Sequence, residues 1–189
     1  KIKMTNEFNL RVLKSVKAGN HVLCTHELPL PVDLLQEIIS FCIPQPEEGS
    51  PRMIILCADN DSAVQLGAEL APFMKEKDLT LDLILEKGNK VKQRNDLFDG
   101  TEVIVGTSRR VCEMYFQNGY NISKMKMLIV LEMDKQMKKA WKGFISRMAE
   151  SLPKVKQVLF VCDPIDERID EYIDLYAAVH QRFIFENNI

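Results

Sequence analysis

Seven short apolar runs recur along the chain: His21–Thr25, Met53–Cys57, Leu79–Leu85, Glu102–Gly106, Met127–Leu131, Val158–Cys162 and Arg182–Phe185. Each is rich in Val, Ile or Leu and short enough to be a strand, and the pattern predicts strands buried on both faces. Between them, apolar residues at helical spacing predict helices over Val32–Cys42, Ser62–Lys75, Lys90–Phe98, Arg110–Asn118, Lys138–Ser151 and Ile165–Val179. Strands alternating with helices predict an α/β fold with a mainly parallel sheet flanked by helices. Gln45–Pro51 is the one clear loop insert, and no internal repeat is visible.

Composition narrows the class. The 189 residues suit one domain with a sizeable core, and the chain reads as a single domain of a longer protein. Lys and Arg number 25 against 27 Asp and Glu, so total charge gives no sign of a polyanion-binding protein. No apolar run is long enough to span a bilayer, and Lys1–Glu7 is too polar for a signal peptide, so no membrane partner is expected. The five cysteines, Cys24, Cys42, Cys57, Cys112 and Cys162, form no C-x-x-C pair, and the histidines are equally scattered. Buried thiols in a reducing, cytoplasmic compartment are expected, and no metal site.

In open α/β sheets ligands sit at the carboxyl ends of the strands, so chemistry is sought just after each apolar run. Those segments are His26–Asp33, Ala58–Ala63, Thr107–Arg110, Glu132–Asp134 and Asp163–Pro164. Their order and spacing resemble the N-terminal RecA-like domain of the DEAD-box RNA helicases over nearly the whole chain. That family carries T-P-I-Q, A-x-T-G-S-G-K-T, P-T-R-E-L-A, T-P-G-R, V-L-D-E-A-D and S-A-T in sequence. The matching stretches here are Asn6–Asn9, His26–Asp33, Ala58–Ala63, Thr107–Arg110, Ile129–Asp134 and Val161–Asp163.

The resemblance implies an ATP site, and the departures from it argue that the site is lost. A phosphate loop needs glycines that aim backbone N–H groups at the phosphates, a Lys, and a hydroxyl for Mg²⁺. Pro29 and Pro31 stand where those glycines should be, Val32 in place of the Lys and Asp33 in place of the Thr. Each proline removes a donor and fixes φ. The same residues make a good helix start, with Pro31 opening it and Asp33 in the first turn against the helix dipole. In D-E-A-D, Leu131 replaces the first Asp while Glu132 and Asp134 remain; Asn9 replaces the adenine-reading Gln; Asp163 and its neighbours offer no hydroxyl. No ATP, no cofactor and no catalytic residue are expected.

RNA contacts in the family come from three segments. The first is altered to Asp59, Asn60 and Asp61, which repel phosphate. Gly88 is kept between Lys87 and Lys90, and Thr107, Ser108, Arg109 and Arg110 form a candidate anion site at a helix start. The plainer reading has Thr107 and Ser108 capping that helix, with the arginines solvated. Charge is also unevenly distributed: Ser123–Lys156 holds nine bases against three acids, and Gln157–Ile189 seven acids against two arginines. That suits either solvated helix faces or a bipolar docking surface in which Met133, Met137, Trp141 and Phe144 are anchors or, at helical spacing, core.

Together these features predict a catalytically inactive helicase-like domain acting as a protein-interaction scaffold in an RNA-processing complex, RNA granules included. The alternatives are an ATP-independent, weakly RNA-binding module and a divergent helicase lobe. Degenerate domains of this kind also occur in Tudor-domain proteins of germline small-RNA pathways, though no Tudor domain is present here.

Overall fold

A computed structural model describes residues 2–25, 32–47, 49–138, 142–162 and 165–185. The chain order is α1 (Ile2–Lys17), β1 (His21–Thr25), α2 (Val32–Cys42), β2 (Met53–Cys57), α3 (Asn60–Glu76), β3 (Leu81–Ile84), α4 (Lys90–Asp99) and β4 (Val103–Thr107). There follow α5 (Ser108–Phe116), β5 (Met127–Val130), α6 (Met133–Met137), α7 (Lys142–Ser151), β6 (Lys156–Val161), α8 (Glu167–Tyr176) and β7 (His180–Ile184). All seven strands form one sheet in the order β3-β4-β2-β5-β6-β1-β7, and every pairing is parallel. Parallel neighbours need crossover connections, which the intervening helices supply.

Alternate side chains of the five inner strands feed two separate cores. Val22, Cys24, Met53, Ile55, Val103, Val105, Ile129, Val158 and Phe160 face α1, α2 and α3. Their neighbours Leu23, Ile54, Leu56, Ile104, Leu128, Val130 and Leu159 face the α4–α8 layer. That second layer contributes methionines: Met114, Met133, Met137 and Met148 are all buried there. The core reading of Met133 and Met137 holds, and Phe144 packs beside them; Trp141 lies outside the described residues.

Three expectations need correction. The runs at β3 and β7 are not buried on both faces, because these are the two edge strands and most of their residues are half-buried or exposed. The helix expected over Lys138–Ser151 is α7, Lys142–Ser151, but the short helix before it, α6 (Met133–Met137), was not among the predicted helices. The first helix, α1, has no counterpart in the predicted elements, although Phe8, Val12, Leu13 and Val16 bury one stripe of it.

Gly106 shows how close the packing is. A Cβ there would overlap the Ile84 carbonyl and press on Val111 Cγ2 at 2.8 Å, so β3 and α5 approach β4 only because the residue is glycine.

A polar clasp closes the opposite, amino end of the sheet. Arg52, 1% exposed, donates to the Glu47 carbonyl at 2.6 Å and to its carboxylate. The Glu102 carboxylate accepts from the Thr80 N–H at 2.7 Å, the Thr80 hydroxyl and the Glu47 N–H at 3.2 Å. Desolvation pushes the Glu102 carboxyl up, but these hydrogen bonds outweigh it and hold the group below its ordinary value. Stability from this group is therefore full above the unfolded-state value and lost as pH falls through the lower folded value. Glu102→Gln should lower stability at neutral pH by about 1–3 kcal/mol. In urea melts run as a pH series, the gap from wild type should close below about pH 4.

Candidate functional site

The carboxyl ends of β4, β2, β5, β6 and β1 lie side by side in the sheet, so the loops singled out in the sequence gather along one edge. At β4 the strand runs directly into α5. Thr107 occupies the N-cap with extended backbone, but its side chain makes no capping bond and its Oγ1 has no partner among the described residues. Ser108 does not cap either: its hydroxyl bonds the Gln136 amide oxygen. Both residues are fully buried, so the capping reading is replaced by an inward one.

The two arginines part company. Arg109 is 59% exposed, with Glu86 at 3.8 Å, and fits the solvated reading. Arg110 is 13% exposed, donates to the Glu86 carbonyl at 2.8 Å and lies 3.1 Å from Glu113, so it belongs to the framework. Lys90, 2.6 Å from Glu113, holds that carboxyl below the usual range, and Arg110 and Arg109 add to the effect. Gly88 closes a turn through its N–H to the Leu85 carbonyl at 3.1 Å. The Gln93 amide fills the space a Cβ would need there and bonds the same carbonyl at 2.9 Å.

The β5–α6 turn carries the densest polar packing. Leu131, 1% exposed, joins the α1–α3 core, and its N–H bonds the Leu56 carbonyl at 2.9 Å. Glu132 adopts a left-handed conformation at φ 47°, which costs a non-glycine residue about 1 kcal/mol or more. Its carboxylate pairs with Lys135, and that hydrogen bond raises the ammonium's pKa. Asp134, 2% exposed, accepts the Cys162 N–H at 2.9 Å through Oδ1, tying β5 to β6, while Oδ2 has no partner among the described residues.

Sequence reading passed over Gln136, which is fully buried. Its amide nitrogen donates to the Leu131 carbonyl at 2.6 Å and the Leu56 carbonyl at 3.1 Å, and its oxygen meets Ser108. The available signal was an amide one turn into a helix that starts directly behind a buried strand.

The remaining positions are dispersed. Val32 begins α2 and packs on the core, and Asp33 sits exposed in the first turn, as the helix-start reading requires. Pro29, Pro31 and Asp163 lie outside the described residues. Asn9 is 3% exposed on α1, its Oδ1 has no partner among the described residues, and it shares with Asp33 a groove of about 550 Å³ between α1 and α2. Asp59 caps α3 by accepting the Ser62 N–H at 2.8 Å, which gives one of the two acids in that loop a structural role.

This edge, on this strand order, has a known counterpart. The model of the family described as DEAD/DEAH box helicase matches residues 31–163. The chain belongs to that family. The ATP-dependent RNA helicase RhlB of Pseudoalteromonas atlantica is 27% identical over 111 residues, which is 59% of this chain and 26% of RhlB. RhlB of Erwinia tasmaniensis is 30% identical over 95 residues, 49% of this chain and 22% of that protein. A DEAD box protein from the hyperthermophile Methanococcus jannaschii superposes with a TM-score of 0.86 at 14% identity, over 96% of this chain and 50% of its own. S. cerevisiae Dbp5 bound to Nup159, Gle1, IP6 and ADP gives 0.74 at 18%, over 89% and 44%. The fold is thus the RecA-like domain of a DEAD-box helicase, and the chain spans about a quarter of the curated relatives it matches and about half of the solved ones.

Within this DEAD-box domain, Gln136→Leu would leave Ser108 and two carbonyls without the amide they share. It should cost about 1–3 kcal/mol in chemical denaturation, with a matching fall in melting temperature.

Proposed function

We propose that this domain has no nucleotide chemistry of its own and serves as a protein-interaction scaffold within an RNA-processing assembly. The observation that carries the reading is the β5–α6 turn. Where the family's metal-directing Asp would stand, Leu131 is sealed into the core, and the carboxylates on either side of Met133 are engaged locally, Glu132 with Lys135 and Asp134 with the Cys162 N–H. Val32, in place of the phosphate-binding Lys, packs against the same core. The described residues therefore do not fit a magnesium–nucleotide complex. The polar groups that would handle a nucleotide instead hold the strand ends together, which keeps the fold intact as a platform. A cytoplasmic, reducing setting belongs to the same proposal: four of the five thiols are buried, and burial pushes those of Cys42 and Cys112 up to about 11.

Titration calorimetry with Mg²⁺ and ATP tests the reading directly. No binding heat is expected up to about 1 mM nucleotide. A tighter dissociation constant would overturn the proposal.

A second reading, ATP-independent RNA binding, is favoured by one observation: Arg109 and Lys87 are exposed at neighbouring strand ends. Arg110 is not part of that surface, so the informative change is Arg109→Ala alone. If RNA binds there, this substitution should weaken binding to all homopolymers alike and reduce the slope of log affinity against log salt by about 1. Unchanged affinity would remove Arg109 from any RNA contact.

A further inference from the structure

β3 is an edge strand of the sheet. Among the described residues β3 pairs only with β4, so one side of its backbone has no strand beside it. Leu81 stands opposite Val103, whose N–H bonds the Thr80 carbonyl at 3.2 Å. In a parallel ladder that phase turns Asp82 and Ile84 toward β4, and directs the N–H and C=O groups of Leu81 and Leu83 outward.

The two faces beside this edge differ chemically. On the α3 side, Leu81 and Leu83 are half-buried and line an apolar groove of about 520 Å³ with Val64, Gly67, Ala68 and Ala71. The small residues let the groove form: a Cβ on Gly67 would lie 2.8 Å from Leu83 Cδ2. On the α4 side, Asp82 lies close to Asp96 and Asp99. Burial pushes its carboxyl up and Asp96 adds to that. Lys92 is the nearby cation and is taken up by Asp96 at 2.7 Å.

We propose that β3 accepts an extended segment of a protein partner as an eighth strand, with aliphatic side chains over the α3 groove alternating with Lys or Arg toward Asp82. Strand addition supplies the missing backbone bonds, and period-2 alternation sends successive side chains to the apolar and the acidic face. A basic residue opposite Asp82 offsets three neighbouring carboxylates; an acid there is repelled. The same acids turn away nucleic acid. They also disfavour a second copy of this chain, because antiparallel β3–β3 pairing centred on Asp82 would place two aspartates opposite each other. This inference gives the scaffold reading a surface and rests on it, yet its test involves no nucleotide, so the two can fail separately.

The probes are two fluorescein-labelled peptides, Val-Lys-Val-Lys-Val-Lys-Val and its Glu counterpart, titrated into the protein by fluorescence polarisation. The lysine peptide should bind at least about tenfold more tightly than the glutamate peptide, and Asp82→Lys should reverse that order. Ala68→Arg, on the exposed face of α3, should abolish binding while leaving the thermal melt as in wild type. Amide exchange should slow at Leu81 and Leu83 in the complex. If Asp82→Lys does not fold, Asp82→Asn must still narrow the difference between the peptides. Equal binding of both peptides, no binding of the lysine peptide up to about 1 mM, or binding that survives Ala68→Arg would overturn the proposal. So would a concentration-dependent dimer abolished by Ala68→Arg, which would assign the edge to a second copy.

Discussion

The carboxyl edge of the sheet depends on the buried amide of Gln136. From the second turn of α6 it reaches the ends of β2 and β5 through two carbonyls and the start of α5 through Ser108. Strand ends in a parallel sheet leave carbonyls with no further ladder partner, and burial without a hydrogen bond costs free energy that water would otherwise supply. The Gln136 amide meets that demand at the Leu131 carbonyl and adds a second donor to the Leu56 carbonyl, which also accepts the Leu131 N–H, while Asp134 serves the Cys162 N–H at the end of β6. An edge that in the family serves nucleotide binding is here held by bonds within the protein.

The fold was largely legible in the sequence because burial on both faces leaves a plain mark. Met53–Cys57 and Val103–Gly106 could only be strands in a core, since a helix needs more residues to bury a stripe. The edges were less legible. Leu79–Leu85 reads as buried because its leucines are apolar, yet the sheet simply ends there, and an edge differs from a centre only by a neighbour that no local pattern encodes. The short helix α6 was missed for a related reason: the five residues Met133–Met137 are too few to show a helical period, and what holds them is packing on β6 and α8.

At the candidate site, residue types were readable and directions were not. Leu131 is apolar in the sequence, and its burial follows from its chemistry. Thr107 and Ser108 look like capping residues, and Arg109 and Arg110 like a pair. Which way each side chain points depends on residues distant in the chain: Gln136 draws Ser108 inward, and Glu113 and the Glu86 carbonyl draw Arg110 into the framework. Gln136 itself carried no motif value, and its only local mark was its place one turn into a helix directly behind a buried strand.

The methionines of the α4–α8 layer bear on how the domain can change shape. Met114, Met133, Met137 and Met148 supply packing from three different helices, where the opposite layer relies mainly on branched aliphatic side chains. An unbranched thioether fills a gap in several rotamers at similar energy, so helices resting on it can slide by small amounts without opening voids. Leu and Ile on α1, α2 and α3 interlock in far fewer ways. The two sides of the sheet are therefore mechanically unequal: one is a stiff backing plate, the other a layer able to conform.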